Sequence, residues 1–236
     1  MFYFYGRKKQ IVKYYPPSLF NTIIEPFAGS AAYSLRDDNW RKDVILVERD
    51  ERVATIWRWL ISEATAKEIV ALPELKIGQR SSDFFHIIHA ATKQAFCYKT
   101  IKVTPVLAIN WHYSKKYMAA NIHKVKHWKI ICGDYAEAPD MEATWFMDPP
   151  YQHESGKGYK YGSSSIDYRK LAEWALGRKG QVIFCERDDA DYLLFRPLVT
   201  LTGVAGKRNR ELIYHSCDAP IGSAPFSLPG LEKMSN

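Results

Sequence analysis

Residues 143–155 read ATWFMDPPYQHES, and the four letters Asp148-Pro149-Pro150-Tyr151 inside that stretch decide how the rest of the chain is read. The apolar run ATWFM has the pattern of a buried strand. It ends on an acid, and two consecutive prolines then turn the backbone out of sheet and helix alike. A carboxylate and a rigid following carbonyl make two acceptors pointing the same way. An amino group on a planar base carries two N–H donors that match such a pair. Bonding both hydrogens draws the nitrogen lone pair out of conjugation and toward an electrophile, while stacking on the Tyr151 ring is worth about 1–3 kcal/mol per base. The prolines fix the acceptors in advance, so little reorganisation is left for the transition state. The ordinary alternative is a turn with a helix-capping Asp, and what stands upstream argues against it.

Upstream, NTIIEPFAGSAAYSLRD reads as strand, turn and helix: the strand ends at Glu25, Pro26 fixes the exit, and Gly29 permits a tight turn before a helix beginning near Ser30. DVILVERDERVATIWRWLISEA reads as a second strand ending on Glu48, then Val53, Ile56, Trp57, Leu60 and Ile61 at helical spacing. Glu48 stands about 20 residues beyond the glycine turn, where dinucleotide-type sites place an acid on ribose hydroxyls. A solvated acid within ERDER is the plainer alternative. HWKIICGDY is a third strand ending near Asp134, a residue suited to capping a helix or to bonding an adenine amine. After ATWFM, the helical YRKLAEWALGRKG precedes a fifth strand in GQVIFCERDD. LVTLTGV and ELIYHS are two more strands, joined by the basic turn AGKRNR. Strands alternating with helices imply a mostly parallel sheet covered on both faces, with ligands at the carboxyl ends of the strands. FAGSAA keeps only the middle glycine of a GxGxxG fingerprint, which disfavours a nicotinamide oxidoreductase.

Residues 62–128 break this rhythm and read as a mainly helical insertion between the second and third strands, dividing a catalytic domain of 1–61 and 129–236. Phe84, Phe85, Ile87 and Ile88 suit a small satellite core. Lys93, Lys99, Lys102, Lys124, Lys126 and Lys129, together with Arg80, Lys115 and Lys116, alternate with His, Tyr and Trp, a mixture suited to phosphates and exposed bases. Beyond Tyr151, QHESGKGYKYGSSS has the composition of a closing loop, with Lys157 and Lys160 directed to a nucleic-acid backbone or to an extruded base; a plain flexible surface loop is the alternative. Lys207 and Arg208 in the basic turn are further phosphate contacts.

The 236 residues suffice for one α/β domain with an insertion, and 47% hydrophobic content is that of a folded chain. An excess of 33 Lys and Arg over 26 Asp and Glu suits an anionic partner without naming one. Cys97, Cys132, Cys185 and Cys217 show no metal or disulfide spacing; Cys132 and Cys185 are expected as buried free thiols. No segment reaches the roughly 20 apolar residues of a membrane helix, and the first residues lack a signal-peptide core. The expectation is a cytoplasmic protein, without a membrane partner.

Taken together, these motifs resemble those of the Dam-like, adenine-specific DNA methyltransferases. FYFYGRKKQIVKYYP is similar to their N-terminal cofactor motif, EPFAGSAAYSL to the glycine motif, LVERD and CGDY to the two acidic motifs, DPPY to the catalytic one, and RELIYHS to a late strand of that group. The resemblance implies a Rossmann-like methyltransferase fold: a mostly parallel seven-stranded sheet, helices on both faces, and a small inserted target-recognition segment. It implies S-adenosylmethionine as cofactor, without a metal. Phe4, Tyr5, Gly6, Lys8, Glu25, Pro26, Phe27, Ala28, Gly29, Ser30, Glu48, Asp134, Tyr135 and Asp148 would hold that cofactor, with Lys8 and the Phe27–Ser30 turn near the methionine part. Asp148, Pro149, Pro150 and Tyr151 would carry catalysis on an adenine flipped out of double-stranded DNA. A monomer is implied, of bacterial or phage origin and of the kind found in restriction-modification. Ala31 departs from the family's usual second glycine, and Arg7 from a small residue. An RNA adenine methyltransferase and a catalytically silent DNA-binding module are the competing readings.

Overall fold

The structure, a computed structural model, describes residues 2, 8, 10–79, 102–202 and 208–218. Phe4, Tyr5, Gly6, Arg80, Lys207 and the expected satellite core at Phe84, Phe85, Ile87 and Ile88 lie outside them.

Among the described residues, seven strands form one sheet: β1 (Thr22–Glu25), β2 (Asp43–Glu48), β3 (Lys129–Cys132), β4 (Ala143–Met147), β5 (Gly180–Arg187), β6 (Arg196–Thr202) and β7 (Arg208–His215), in the order β3-β2-β1-β4-β5-β7-β6. β1 to β5 pair in parallel, and β7 runs antiparallel to both β5 and β6. The α/β, mostly parallel sheet matches the sequence reading, and β6 and β7 are the two late strands it expects; Arg208 to Arg210 of AGKRNR, read as turn, belong to β7, where they pair with β6.

Every parallel strand alternates between two apolar faces. Ile23, Val44, Leu46, Phe146, Ile183 and Cys185 point into one core, while Ile24, Ile45, Val47, Trp145, Val182 and Phe184 point into the other. This is the strand period of two applied to a sheet buried on both sides. Helix α1 (Glu51–Ser62) covers the first face through the residues its spacing singles out, Val53, Ile56, Trp57, Leu60 and Ile61. Its N-cap Asp50 accepts from the Arg52 N–H. The second face is covered by a later helix, Tyr168–Leu176, capped by Asp167.

The described parts of 62–128 add α2 (Ala66–Ala71), closed by a Thr65–Glu68 capping box, and α3 (Pro105–Asn121), with Thr104 as N-cap and Pro105 in the first turn; the Tyr168–Leu176 helix is therefore α4. Ile69, Trp111, Met118 and Val125 join the same core as α1, so the described parts of this segment share the main core. Trp111 donates to the Pro73 carbonyl at 2.8 Å, tying α3 to the end of α2.

Two local expectations are corrected. No regular helix follows Gly29; residues 28–38 form successive turns, because Gly29 and Ala31 both take positive φ (46° and 51°) and the Glu25 carboxylate accepts the Ser34 N–H at 2.8 Å. Cys132 is exposed at the end of edge strand β3, whereas Cys185, facing the core from β5, is buried. At the opposite edge, β6 carries Pro197 and a register irregularity between Pro197 and Val199.

Gln181, fully buried on β5, accepts from the Leu19 N–H (3.0 Å) and the Thr144 hydroxyl (2.8 Å) and donates to the Pro17 carbonyl (3.1 Å). It fastens the segment leading into β1 to the amino ends of β4 and β5. Gln181→Leu is expected to lower stability by about 1–3 kcal/mol by leaving these groups unpaired. The check is a lower urea midpoint at unchanged slope.

Candidate active site

The strand order reverses between β1 and β4, and there the loops leaving neighbouring strands part to leave a crevice. A cavity of about 340 Å³ opens at that point, within the range of small-molecule sites. Its wall is built from four strand ends: Glu25 to Ala32 after β1, Glu48 to Asp50 after β2, Asp134 and Tyr135 after β3, and Asp148 and Pro150 after β4. Lys8 lines it too, and the far side is closed by Tyr159, Lys160, Tyr161 and Ser165 to Asp167.

The glycine turn is held from three directions. The Ala28 N–H reaches the Val47 carbonyl (3.0 Å), the Gly29 N–H reaches the Glu48 carboxylate (3.1 Å), and Trp57 of α1 donates its indole N–H to the Gly29 carbonyl (2.9 Å). The other Glu48 oxygen accepts from the Asp50 N–H at 2.9 Å. Burial pushes both Glu25 and Glu48 up to about 7, against the pull of these backbone donors. Asp134 caps the short 3-10 turn Tyr135–Glu137 and lies 3.6 Å from the Arg49 guanidinium. Phe27 and Tyr135 approach with ring centroids 5.6 Å apart.

The proline motif is fixed from every side. Lys8 places its ammonium 2.7 Å from an Asp148 oxygen, and its other neighbour is Glu211 of β7 at 3.7 Å. Burial raises Asp148 to about 6, and Lys8 works against that rise. Burial opposes the Lys8 charge, but Asp148 and then Glu211 more than offset it, so Lys8 is held above its ordinary value. Glu211 accepts hydrogen bonds from the hydroxyls of Tyr151 and Tyr15, the latter at 2.5 Å. The Lys8 ammonium also sits 4.2 Å from the centre of the Tyr151 ring. Tyr168 of α4 donates to the Pro150 carbonyl at 2.5 Å. Glu186 at the end of β5 accepts from the Gln152 N–H (3.0 Å) and from Tyr192 (2.8 Å). Among the described residues, none donates a hydrogen bond to the Pro149 carbonyl.

Of the expected site residues, Lys8, Glu25 to Ser30, Glu48, Asp134, Tyr135, Asp148 and Pro150 come together on one cavity; Pro149 and Tyr151 are not among the residues that line it. Lys8 is found on the proline motif and not on the glycine turn. Lys160, expected to meet a nucleic-acid backbone or an extruded base, lines the cavity. Lys115 is unsuited to phosphate: it is 4% exposed, and its ammonium is held by Glu74 (2.7 Å) and the Leu72 carbonyl (2.6 Å). Lys116 and Lys157 are exposed, and Arg208 opens β7. Sequence reasoning missed Glu211, Tyr15, Glu186 and Arg49. The one available signal was the acid that opens ELIYHS, directly before its apolar residues Leu212 to Tyr214. No protein-family model matches the chain, and no curated protein matches it.

Gly156 packs so tightly that an added Cβ would lie 1.9 Å from the Tyr151 carbonyl oxygen. Gly156→Ala is expected to displace the Tyr151 backbone and cut activity while leaving the far-ultraviolet spectrum unchanged. A second expectation concerns pH. Unfolded, Glu48 ionises near 4.5; folded, near 7. Its raised value makes a contribution to stability that is complete below about 4.5 and lost as pH rises through about 7. The thermal midpoint of Glu48→Gln should therefore depend less on pH across that window than the wild type's. Parallel curves would contradict the assignment.

Proposed function

We propose that the protein is an adenine-specific DNA methyltransferase of the Rossmann-like kind, using S-adenosylmethionine and acting through Asp148–Tyr151. One observation carries the reading: at the point where strand order reverses, a glycine turn, the acids Glu48 and Asp134, and the Asp148 motif border a single cavity.

The residues present fit the cofactor by their chemistry. Each Glu48 oxygen uses one lone pair on a backbone N–H, leaving acceptor capacity for the two hydroxyls of a ribose. Asp134 offers a carboxylate to an adenine amine, and the Phe27 and Tyr135 rings supply apolar surface beside it. The acidic lining favours a cationic sulfonium over a phosphate-rich dinucleotide. When bound, the cofactor supplies an electrophilic methyl group.

The chain's own residues do the rest. Asp148, ionised above about pH 6, accepts one hydrogen of the target amine. The Pro149 carbonyl accepts the other, and the flanking contacts to Pro150, Tyr151 and Gln152 hold both acceptors still. With its hydrogens engaged, the nitrogen turns its lone pair toward the methyl group. The new N–C bond would form as the methyl–sulfur bond breaks, leaving a neutral thioether, and the amine proton, acidic only then, would pass to Asp148, which need not be a strong base. Exposed Tyr113, Tyr117 and Lys116 on α3 offer aromatic and basic groups to nucleic acid.

Asp148→Ala should abolish transfer of tritiated methyl groups to unmethylated DNA while the protein stays folded. Glu48→Ala should weaken S-adenosylmethionine binding, read calorimetrically, by about tenfold or more, the equivalent of one charged hydrogen bond. A fully active Asp148→Ala protein would overturn the proposal.

A further inference from the structure

The proposed reaction leaves one buried arrangement unexplained. A single ammonium, Lys8, stands between two carboxylates that belong to different parts of the chain, Asp148 after β4 and Glu211 within β7. It touches Asp148 at 2.7 Å, on the carboxylate whose lone pairs an incoming amine would also use, and it lies 3.7 Å from Glu211. Lys8 is 7% exposed, so water does not screen the choice between the two.

We infer that Lys8 is a positioning residue that occupies the amine seat of Asp148 in the free protein and transfers its ammonium to Glu211 when the target base enters. This rests on the methyltransferase reading above. An ammonium and an aromatic amine are both N–H donors, so they compete for the same carboxylate lone pairs. Glu211 is a suitable second seat. Its oxygen Oε1 already accepts from Tyr15 and Tyr151, which fix the carboxylate in place; Lys8 lies 3.7 Å from that oxygen, and the lone pairs of Oε2 complete the seat for its ammonium. The Tyr151 ring, 4.2 Å from the ammonium, lies alongside the path. No covalent bond is made or broken in the exchange, and the buried charge is conserved.

The exchange ties the Asp148 charge to Lys8. The groups that act on Asp148 or feel its charge are Lys8, Glu211 of β7, Glu25 of β1, Cys185 of β5, and the hydroxyls of Tyr15 and Tyr151. Of these, Lys8 favours the ionised form, and Glu211 opposes it. Removing Lys8 therefore moves the ionisation of Asp148 upward. Removing the Glu211 charge moves it downward, but leaves the ammonium nowhere to go.

The test compares the pH dependence of methyl transfer to unmethylated DNA in the wild type, Lys8→Met, Lys8→Arg and Glu211→Gln. Carbon-13 NMR titration of Asp148 in the free proteins is followed in parallel. The acid limb of Lys8→Met should move up by about one pH unit or more, in activity and in NMR, and Lys8→Arg should restore it. In Glu211→Gln the plateau rate should fall about tenfold or more, although Asp148 is ionised at lower pH than in the wild type. A merely structural role would lower rates at every pH and leave the limb in place. Wild type that methylates DNA while Lys8→Met keeps its acid limb, or Glu211→Gln keeps its plateau, overturns the exchange alone. Wild type that methylates nothing overturns the methyltransferase reading and the exchange with it. The NMR titration then still reports whether Lys8 and Asp148 are paired.

Discussion

The buried contact between Lys8 and Asp148 is the constraint on which the site depends. A carboxylate at the end of a fully buried strand would ordinarily take up a proton, and an isolated ammonium beside it would lose one. Placed 2.7 Å apart, each keeps the other charged. Such a pair is weak evidence of stability, since desolvating both ions consumes much of their attraction. Its value is that Asp148 remains an acceptor in surroundings that would otherwise neutralise it. The tyrosines bonded to Glu211 extend the same logic, giving the second carboxylate neutral donors in place of a second cation.

The secondary structure around this contact decides where it lies. The sheet is apolar on both faces, so polar groups gather where the strands end. The reversal of strand order between β1 and β4 brings four such ends around one hollow. Trp57 links the helix after β2 to the turn after β1, and Tyr168 links the helix before β5 to the turn after β4. The loops after β1 and β4 are thus each braced by a helix that also packs in a core.

Much of this was legible in the sequence because it is local. Strand runs ending on Glu25, Glu48 and Asp148 showed both the sheet and the acids, and the spacing of Val53, Ile56, Trp57, Leu60 and Ile61 showed the buried face of α1. What escaped is long-range or conformational. Glu211 stands between the polar start of β7 and its apolar end, and nothing near it in sequence shows that Lys8 faces it across the fold. The helix expected after Gly29 is replaced by turns because Glu25 bonds the Ser34 N–H, a contact between two elements. Lys115 reads as one of several free cations until Glu74 and the Leu72 carbonyl are seen to surround it.

The sheet's two outer strands carry a consequence of another kind. β3 is only four residues long and begins on an exposed lysine, and β6 lacks an N–H at Pro197 beside its irregular register. Neither border offers an unbroken row of donors and acceptors against which a foreign strand could lie. A chain that concentrates so much apolar surface in its centre is in this way guarded against zipping onto its neighbours while it is being made.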